Sequence, residues 1–265
     1  MTKKKTVRTF RKMKKNAEKI VMITAYDAPT AAIAQAADID LILIGDSVGT
    51  TMLGYDDTVP VTMDDMIHHC KQVRRGAPDM FLVGDMPFLS YHCGDDDAMR
   101  NAGRFLQEAA CDCVKLESSR DTLPLIKRMV AAGIPVMAHI GLLPQRIQAV
   151  GGYQVTGRGD DAQRLLADAK AFEEAGAFGI VLECVSRDAA KMITDSIAIP
   201  TIGIGSGPEC DGQVQVFHDI IGMFDGFTPK HSRRYAEAGK LITDALASYA
   251  RDVREGTFPA DENCF

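Results

Sequence analysis

The 265-residue chain lacks the features that mark membrane, secreted and zinc-binding proteins. It has no apolar run of the length that a transmembrane helix needs, which is about 18 residues. It also has no apolar stretch of signal-peptide type before a small-residue cleavage site. Its seven cysteines include no Cys-x-x-Cys pair, so they predict neither a zinc site nor a disulfide scaffold. These absences predict a cytoplasmic protein with reduced thiols and no membrane partner.

Charge is distributed unevenly along the chain. Residues 1–19 carry nine lysines and arginines against Glu18, a formal charge of +8, which leaves -14 for the rest of a chain whose total is -6. Duplex binders need a basic face on the fold itself, so an acidic body argues against a nucleic-acid partner. Residues 1–19 are predicted to form a solvated basic helix that leads into the first strand.

Short β-branched apolar segments alternate with amphipathic helical patterns about eight times along the chain. Each segment is apolar on both faces, as a buried parallel strand is. The hydrophobic content is 46% and no low-complexity linker interrupts residues 20–265, so a single domain is expected. The alternation favours an α/β fold of the (β/α)8 TIM barrel type, with an open doubly wound sheet as the alternative. The predicted strands are Ile20–Ala25, Leu41–Gly45, Phe81–Gly84, Cys113–Leu116, Pro135–Ala138, Gly179–Leu182, Pro200–Ile204 and Gln213–Phe217.

Polar side chains stand at the ends of five consecutive predicted strands, the second to the sixth. In a barrel these ends share the C-terminal rim, where active sites lie. One acid at a strand end often only caps the next helix, whereas a succession of five favours a site. The residues are Asp46 and Ser47, Asp85, Lys115 and Glu117, His139, and Glu183.

The chemistry of these residues favours a divalent cation and an enolate. Four crowded carboxylates repel one another unless a cation lies among them, and ligands that are all oxygen favour Mg²⁺ over Zn²⁺. Asp46 and Asp85 suit that role, with Glu117 in contact directly or through water. Such a metal can chelate a 2-keto acid through its carboxylate and keto oxygens and stabilise its enolate. Glu183, among apolar neighbours, is the predicted general base, with helix capping as its alternative role.

Two glycine-rich segments leave alternatives open. Residues 203–207 follow the seventh strand and form either a phosphate-binding loop or a tight turn. Residues 151–158 follow the fifth strand and are a candidate lid.

The motifs that contain the rim residues occur in the order found in one enzyme family. They include Ile23-Thr24-Ala25-Tyr26-Asp27, Gly45-Asp46-Ser47, Asp85-Met86-Pro87-Phe88, Val114-Lys115-Leu116-Glu117, His139-Ile140-Gly141-Leu142, Gly151-Gly152-Tyr153 and Leu182-Glu183-Cys184. From about Met13 to Phe265 the chain closely resembles the ketopantoate hydroxymethyltransferases.

The resemblance implies a Mg²⁺-dependent barrel enzyme of pantothenate and coenzyme A biosynthesis. It would transfer a hydroxymethyl group from 5,10-methylenetetrahydrofolate to 3-methyl-2-oxobutanoate, giving 2-dehydropantoate and tetrahydrofolate. The usual assembly of the family is a homodecamer of two stacked pentameric rings. The implied metal ligands are Asp46, Asp85 and Glu117. The implied substrate-binding residues are Asp46, Ser47, Asp85, Lys115 and His139. The implied proton acceptor is Glu183.

The chain departs from the family at four places. Ser118-Ser119 stands where the family often has a glycine pair, Tyr55 replaces a common His, Leu143 a common Thr and Ser206 a common Ala. None of these changes removes a predicted catalytic group.

Two further hypotheses remain beside the transferase. One is a barrel lyase or mutase of the phosphoenolpyruvate mutase and isocitrate lyase type, whose lyases usually carry a Lys-Lys-Cys-Gly-His loop. Here His92-Cys93-Gly94 lacks the lysines, which argues against it. The other is a ring-forming scaffold without chemistry, which the intact set of rim residues argues against.

Overall fold

Eight parallel strands close into a barrel in the computed structural model, which describes residues 4–152, 154–224 and 229–265. Each strand pairs with the next along the chain, and the last pairs with the first. The strands are β1 Ile20–Thr24, β2 Leu41–Ile44, β3 Phe81–Asp85, β4 Cys113–Glu117, β5 Val136–Gly141, β6 Gly179–Glu183, β7 Thr201–Ile204 and β8 Gly212–Gln215. The helices are α1 Val7–Lys15, α2 Ala28–Ala36, α3 Val48–Thr51, α4 Met63–Gly76, α5 Asp95–Gln107, α6 Leu123–Ala131, α7 Ile147–Val150, α8 Asp160–Glu174, α9 Arg187–Ser196, α10 Phe217–Ile220 and α11 Ala238–Glu255.

The closed barrel confirms the predicted fold class and excludes the open sheet. All eight predicted strands are present, with small differences at their ends. β5 continues past the predicted end at Ala138, through His139 to Gly141, because β4 and β6 pair with it on both sides. β8 stops at Gln215, since Phe217 already begins α10. None of the described helices is long and apolar enough to cross a membrane.

Side chains that alternate along the strands fill the interior of the barrel at its lower end, the end at which the strands begin. Residues two apart point to the same side of a strand, so each strand contributes a column of inward-facing side chains. The lower part of this column is apolar on β3, β4 and β6, where Phe81, Val83, Cys113 and Val181 belong to one buried cluster. The next inward positions along these strands are therefore those that reach the C-terminal rim.

Phe10 of α1 closes the lower end of the barrel. Its side chain is 1% exposed and belongs to the same buried cluster as the strand residues. Its ring meets that of Phe81 edge to face, with 5.0 Å between the centroids, and Phe81 meets Phe178 in the same way at 5.8 Å. The helix predicted within residues 1–19 is present, and its residues are exposed or half-exposed except Phe10, which anchors it to the core.

Lysines of the basic segment hold aspartates at the starts of three strands. Each aspartate also accepts a hydrogen bond from a backbone N–H at or beside a strand start: Val21, Leu82 or Thr201. Each carboxylate thus satisfies a backbone donor while pairing with a lysine charge, which ties residues 4–15 to the barrel. The pairs are Lys4 with Asp112, Lys5 with Asp40, and Lys14 with Asp211.

The described residues from Phe217 onward form a second compact unit. Its longest element is α11, an 18-residue helix in which no residue is buried. The helix nevertheless carries large apolar side chains, and those that are exposed are Leu241, Ile242, Leu246, Tyr249 and Val253. The domain boundaries 1–19 and 20–265 stay a prediction.

Candidate active site

The rim of the barrel brings the acids of β2 and β3 together with a lysine of β4. Register places Asp85 level with Lys115, and Lys115 Nζ lies 2.7 Å from Asp85 Oδ1. The second oxygen of Asp85 accepts a hydrogen bond from the backbone N–H of Asp46 at 3.2 Å. All three residues are buried, so the charges interact through a medium that screens them poorly.

Burial and the interactions between these charges shift the pKa values of Asp85, Glu117 and Lys115. Burial, with help from Asp46, raises the pKa of Asp85 to about 7 although the Lys115 charge opposes the shift. Burial also raises the pKa of Glu117 to about 8, with Asp46 and Asp85 adding repulsion. Burial works against a charged Lys115, yet Asp85 and Asp46 outweigh it and raise its pKa. A cation bound beside Asp85 and Glu117 would favour the charged forms of both.

Gln145 connects two of these carboxylates from a loop that follows β5. Its side-chain amide donates to Asp46 Oδ2 at 2.8 Å, and its backbone N–H donates to Glu117 Oε1 at 2.7 Å. The other oxygen of Glu117, Oε2, is buried and has no hydrogen-bond partner among the described residues. A buried, unpaired carboxylate oxygen beside two further carboxylates is an arrangement that suits a hard cation.

His139 connects Lys115 to Glu183. Lys115 Nζ lies 3.4 Å from His139 Nδ1, and His139 Nε2 lies 3.1 Å from Glu183 Oε2. An ammonium group only donates, so Nδ1 is the acceptor and we assign the imidazole proton to Nε2, facing Glu183. Burial and then the Lys115 charge lower the pKa of His139, which keeps the ring neutral. In this tautomer the N–H is on the ring nitrogen that lies nearest to the Glu183 carboxylate.

Gly141 sets the turn that carries the chain from β5 to Gln145. Its φ is +103°, in the region that favours glycine, and a Cβ there would meet the carbonyl oxygen of Glu183 at 2.2 Å. The next residue, Leu142, donates its N–H to that same carbonyl oxygen at 2.8 Å. The Gln145 loop and the end of β6 are thus held against each other.

The structure places all seven predicted rim residues in one region. Contacts through neighbouring side chains link six of them, and the seventh, Ser47, follows Asp46 directly and lies with its hydroxyl 2.7 Å from that of Tyr26. Sequence reasoning missed Gln145 and Tyr91, whose hydroxyl donates to Gln145 Oε1 at 2.7 Å. Neither stands at a strand end, so the pattern that identified the others could not find them.

Two of the departures from the family pattern place hydroxyl groups between neighbouring strands. Ser118 Oγ donates to Leu116 O and accepts from the backbone N–H of His139. Ser206 Oγ donates to Leu182 O and accepts from the backbone N–H of Val185. Both serines are buried and satisfied, so they add contacts beside Glu117 and Glu183 without leaving a polar group unpaired.

The two glycine-rich segments have different outcomes. Gly203 and Ile204 end β7, and the buried hydroxyl of the following Ser206 bonds to the chain on either side of Glu183, which holds residues 205–207 against the end of β6. In the 151–158 segment Tyr153 lies outside the described residues, and the lid stays a prediction. Thr156 bridges to Val185 in this segment.

The donor set at the rim fits an open metal site rather than a closed one. Within the described ranges, no three acidic, histidine or cysteine side chains converge tightly enough to enclose a metal ion by themselves. Mg²⁺ usually keeps several waters and takes one or two protein carboxylates plus substrate oxygens. One or two of the carboxylates of Asp46, Asp85 and Glu117 could ligate such an ion directly while leaving positions for water and a ligand.

A closed parallel barrel with carboxylates, a lysine and a histidine gathered on its C-terminal rim defines a (β/α)8 barrel enzyme. The family model described as ketopantoate hydroxymethyltransferase matches residues 4–261. The chain belongs to this family of transferases.

Curated relatives agree with the family over nearly the whole chain. The 3-methyl-2-oxobutanoate hydroxymethyltransferase of Syntrophomonas wolfei is 52% identical over 261 residues, covering 98% of this chain and 95% of the relative. The protein of the same name from Heliobacterium modesticaldum is 51% identical over 266 residues, covering 100% and 96%. This agreement favours the transferase hypothesis over the lyase and over the scaffold without chemistry.

Solved structures of lower identity share the fold. A 2,3-dimethylmalate lyase of the PEP mutase/isocitrate lyase superfamily has a TM-score of 0.61 at 17% identity, covering 98% of this chain and 91% of that one. A phosphonopyruvate hydrolase, solved in complex with oxalate and Mg²⁺, has a TM-score of 0.61 at 12% identity, covering 97% and 92%. At these identities the likeness establishes the barrel architecture alone.

Proposed function

We propose that the protein transfers a hydroxymethyl group from 5,10-methylenetetrahydrofolate to 3-methyl-2-oxobutanoate, giving 2-dehydropantoate and tetrahydrofolate, with Mg²⁺ at the rim. The observation that carries the proposal is the buried group of Asp46, Asp85 and Glu117 around Lys115, next to the His139–Glu183 pair. The first group suits a metal and an anionic substrate, and the second suits removal of a proton from carbon. Both halves are needed for an enolate reaction at a 2-keto acid.

The metal half rests on the three carboxylates. When bound, Mg²⁺ supplies positive charge that favours negative charge on the keto and carboxylate oxygens of the substrate. Lys115, held at 2.7 Å from Asp85, adds a fixed positive charge at the same point of the rim. Ser47, whose hydroxyl lies against Tyr26, is the proposed hydrogen-bonding partner of the substrate carboxylate.

The proton-transfer half rests on Glu183. We assign to its carboxylate the removal of the proton on C3 of the keto acid, so that the electron pair of the C–H bond moves towards the keto oxygen. His139 Nε2, 3.1 Å from Glu183 Oε2, holds the carboxylate in place for this step. The enolate carbon then bonds to the methylene carbon of the folate as the first of its two C–N bonds breaks. Water replaces the second nitrogen and supplies the oxygen of the new hydroxymethyl group, and the proton from C3 and one proton of the water end on the two nitrogens of the departing tetrahydrofolate.

Formation of product from the purified protein tests this proposal. Incubation with 3-methyl-2-oxobutanoate, 5,10-methylenetetrahydrofolate and Mg²⁺ should yield 2-dehydropantoate and tetrahydrofolate in equal amounts, measured by mass spectrometry. Chelation of the metal with EDTA should stop the reaction, and added Mg²⁺ should restore it. Absence of product would contradict the activity, and product formed at the same rate in EDTA would contradict the metal.

We also propose that the protein works in the cytoplasm as a homo-oligomer, a decamer by family resemblance. Seven free cysteines are consistent with a reducing compartment. The exposed apolar side chains of α11 support association, because contiguous apolar surface is typical of interfaces.

Light scattering of the purified protein tests the assembly. A decamer should show ten times the 28.8 kDa of the chain. Leu246→Asp on α11 should shift the mass to smaller species because it places a charge in the apolar stripe. Asp244→Asn on the same helix is the matched control and should leave the mass unchanged. A wild-type mass of 28.8 kDa would contradict the proposal.

A further inference from the structure

Every polar group of the Gln145 side chain makes a hydrogen bond, although Gln145 does not lie at a strand end. Its Nε2 donates to Asp46 Oδ2 at 2.8 Å and to Met86 O at 3.0 Å, and its Oε1 accepts from the Tyr91 hydroxyl at 2.7 Å. The side chain is buried, with 5% of the residue exposed. A fully satisfied buried amide has one orientation only, since the two acceptors Asp46 and Met86 O must face its N–H groups.

The contacts of Gln145 cross the rim. Asp46 follows β2, and Glu117 is the last residue of β4, so β3 with Asp85 lies between them. Gln145 comes from the turn after β5 and bonds to both: to Asp46 through its side chain and to Glu117 through its backbone N–H at 2.7 Å. It therefore fixes one oxygen of each carboxylate. The remaining oxygen of Glu117, Oε2, stays buried and unpaired among the described residues.

Three neighbouring carboxylates repel one another, and free side chains would rotate apart when no cation is bound. Donors that hold one oxygen of a ligand orient the other, and the loss of such a contact typically weakens metal binding by about 10–100-fold. Lys115 performs the corresponding task for Asp85 Oδ1. Gln145 is the described side chain that contacts Asp46 in this way.

We infer that Gln145 is a positioning residue that pre-orients Asp46 and Glu117 for a divalent cation, and that Tyr91 locks its amide in the required orientation. The inference rests on the proposed function, since it supposes the metal site described there. Tyr91 is 4% exposed, and its hydroxyl has the Gln145 oxygen as acceptor, so it stabilises one of the two amide orientations. Neither residue needs to touch the substrate for this role.

Binding of Mn²⁺ alone to the purified full-length protein tests the inference, with free Mn²⁺ measured by electron paramagnetic resonance and Mg²⁺ as competitor. Gln145→Met keeps the length of the side chain and removes its donors, so the Kd should rise by about 10–100-fold. Tyr91→Phe keeps the shape of the ring and should give a smaller rise in the same direction. Gln148→Met is the control, because Gln148 is exposed and bonds to Asp57 instead.

A second measurement separates positioning from a folding defect. In the transferase assay, Gln145→Met should raise the Mg²⁺ concentration needed for half-maximal rate, while saturating Mg²⁺ restores most of kcat. A damaged fold would not be rescued by metal, and circular dichroism of the variant should match that of the wild type.

Three outcomes of the Mn²⁺ measurements would contradict the inference. Equal Mn²⁺ affinity in Gln145→Met and wild type would overturn the inference and leave the proposed function intact. A Kd that rises as much in Gln148→Met as in Gln145→Met would also overturn it, because the effect would then not depend on the contact with Asp46. Wild-type protein that binds no Mn²⁺ would overturn the metal site itself, and the inference with it.

Discussion

Replacing Glu183 with glutamine should lower kcat of the transferase by about 10²–10⁴-fold, the range that a positioned general base contributes. The amide keeps the shape of the carboxylate but cannot accept a proton from carbon. Glu183 is the rim carboxylate that stands apart from the three proposed metal ligands, and its partner is the neutral His139 at 3.1 Å. Mn²⁺ affinity of the Glu183→Gln protein should therefore stay close to that of the wild type.

A partial reaction isolates the step that Glu183 is expected to perform. In D₂O with Mg²⁺ and without folate, the wild-type protein should exchange the C3 proton of 3-methyl-2-oxobutanoate for deuterium, as followed by NMR. Glu183→Gln should lose this exchange in parallel with turnover. The matched control is Glu174→Gln, an exposed glutamate at the end of α8 that should behave as wild type. Exchange that persists in Glu183→Gln would show that another group is the base.

The columns of inward-facing side chains explain why the rim could be predicted from the sequence. On β4 the positions Cys113, Lys115 and Glu117 follow one another with the strand period of two, and the apolar member lies in the core while the polar members reach the rim. A polar residue that ends a buried apolar run can therefore be recognised from the sequence alone. The same pattern identifies Asp85 on β3 and Glu183 on β6.

Loop geometry explains why Gln145 could not be predicted in the same way. Its position depends on the positive φ of Gly141 and on the bond from Leu142 N–H to Glu183 O, which are properties of the folded chain. No periodic pattern places a residue four positions beyond a strand end back into the site. The same holds for Tyr91, which reaches Gln145 from the segment between β3 and α5.

Two groups of acidic residues lie at opposite ends of the barrel. Asp46, Asp85, Glu117 and Glu183 lie at the rim, whereas Asp40, Asp112 and Asp211 lie at the opposite end with the lysines of the basic segment. The sequence shows the sign of both groups but not their pairing, because the partners are far apart in the chain. Residues 4–15 are thus part of the barrel structure and not merely a solvated lead-in.

Phe10→Ala should destabilise the protein by about 3–5 kcal/mol, the usual cost of truncating a buried phenylalanine. The ring is 1% exposed and packs edge to face against Phe81 at the lower end of the barrel, so its removal leaves a cavity beneath the apolar cluster. Urea and thermal unfolding followed by circular dichroism measure the loss. Phe10→Leu, which refills most of the volume, should cost less, about 1.5 kcal/mol or under if the cluster repacks.

The position of Phe10 allows the effect of the substitution on stability to be measured separately from any effect on catalysis. It lies at the end of the barrel opposite the rim that carries Glu183, so kcat at a temperature where Phe10→Ala remains folded should equal that of the wild type. Arg8→Ala on the same helix removes an exposed side chain and should change stability by no more than about 0.5 kcal/mol. An unfolding midpoint for Phe10→Ala equal to that of Arg8→Ala would show that α1 does not close the barrel in solution. The burial of Phe10, the one buried residue of α1, would then need a cause other than packing against the barrel core.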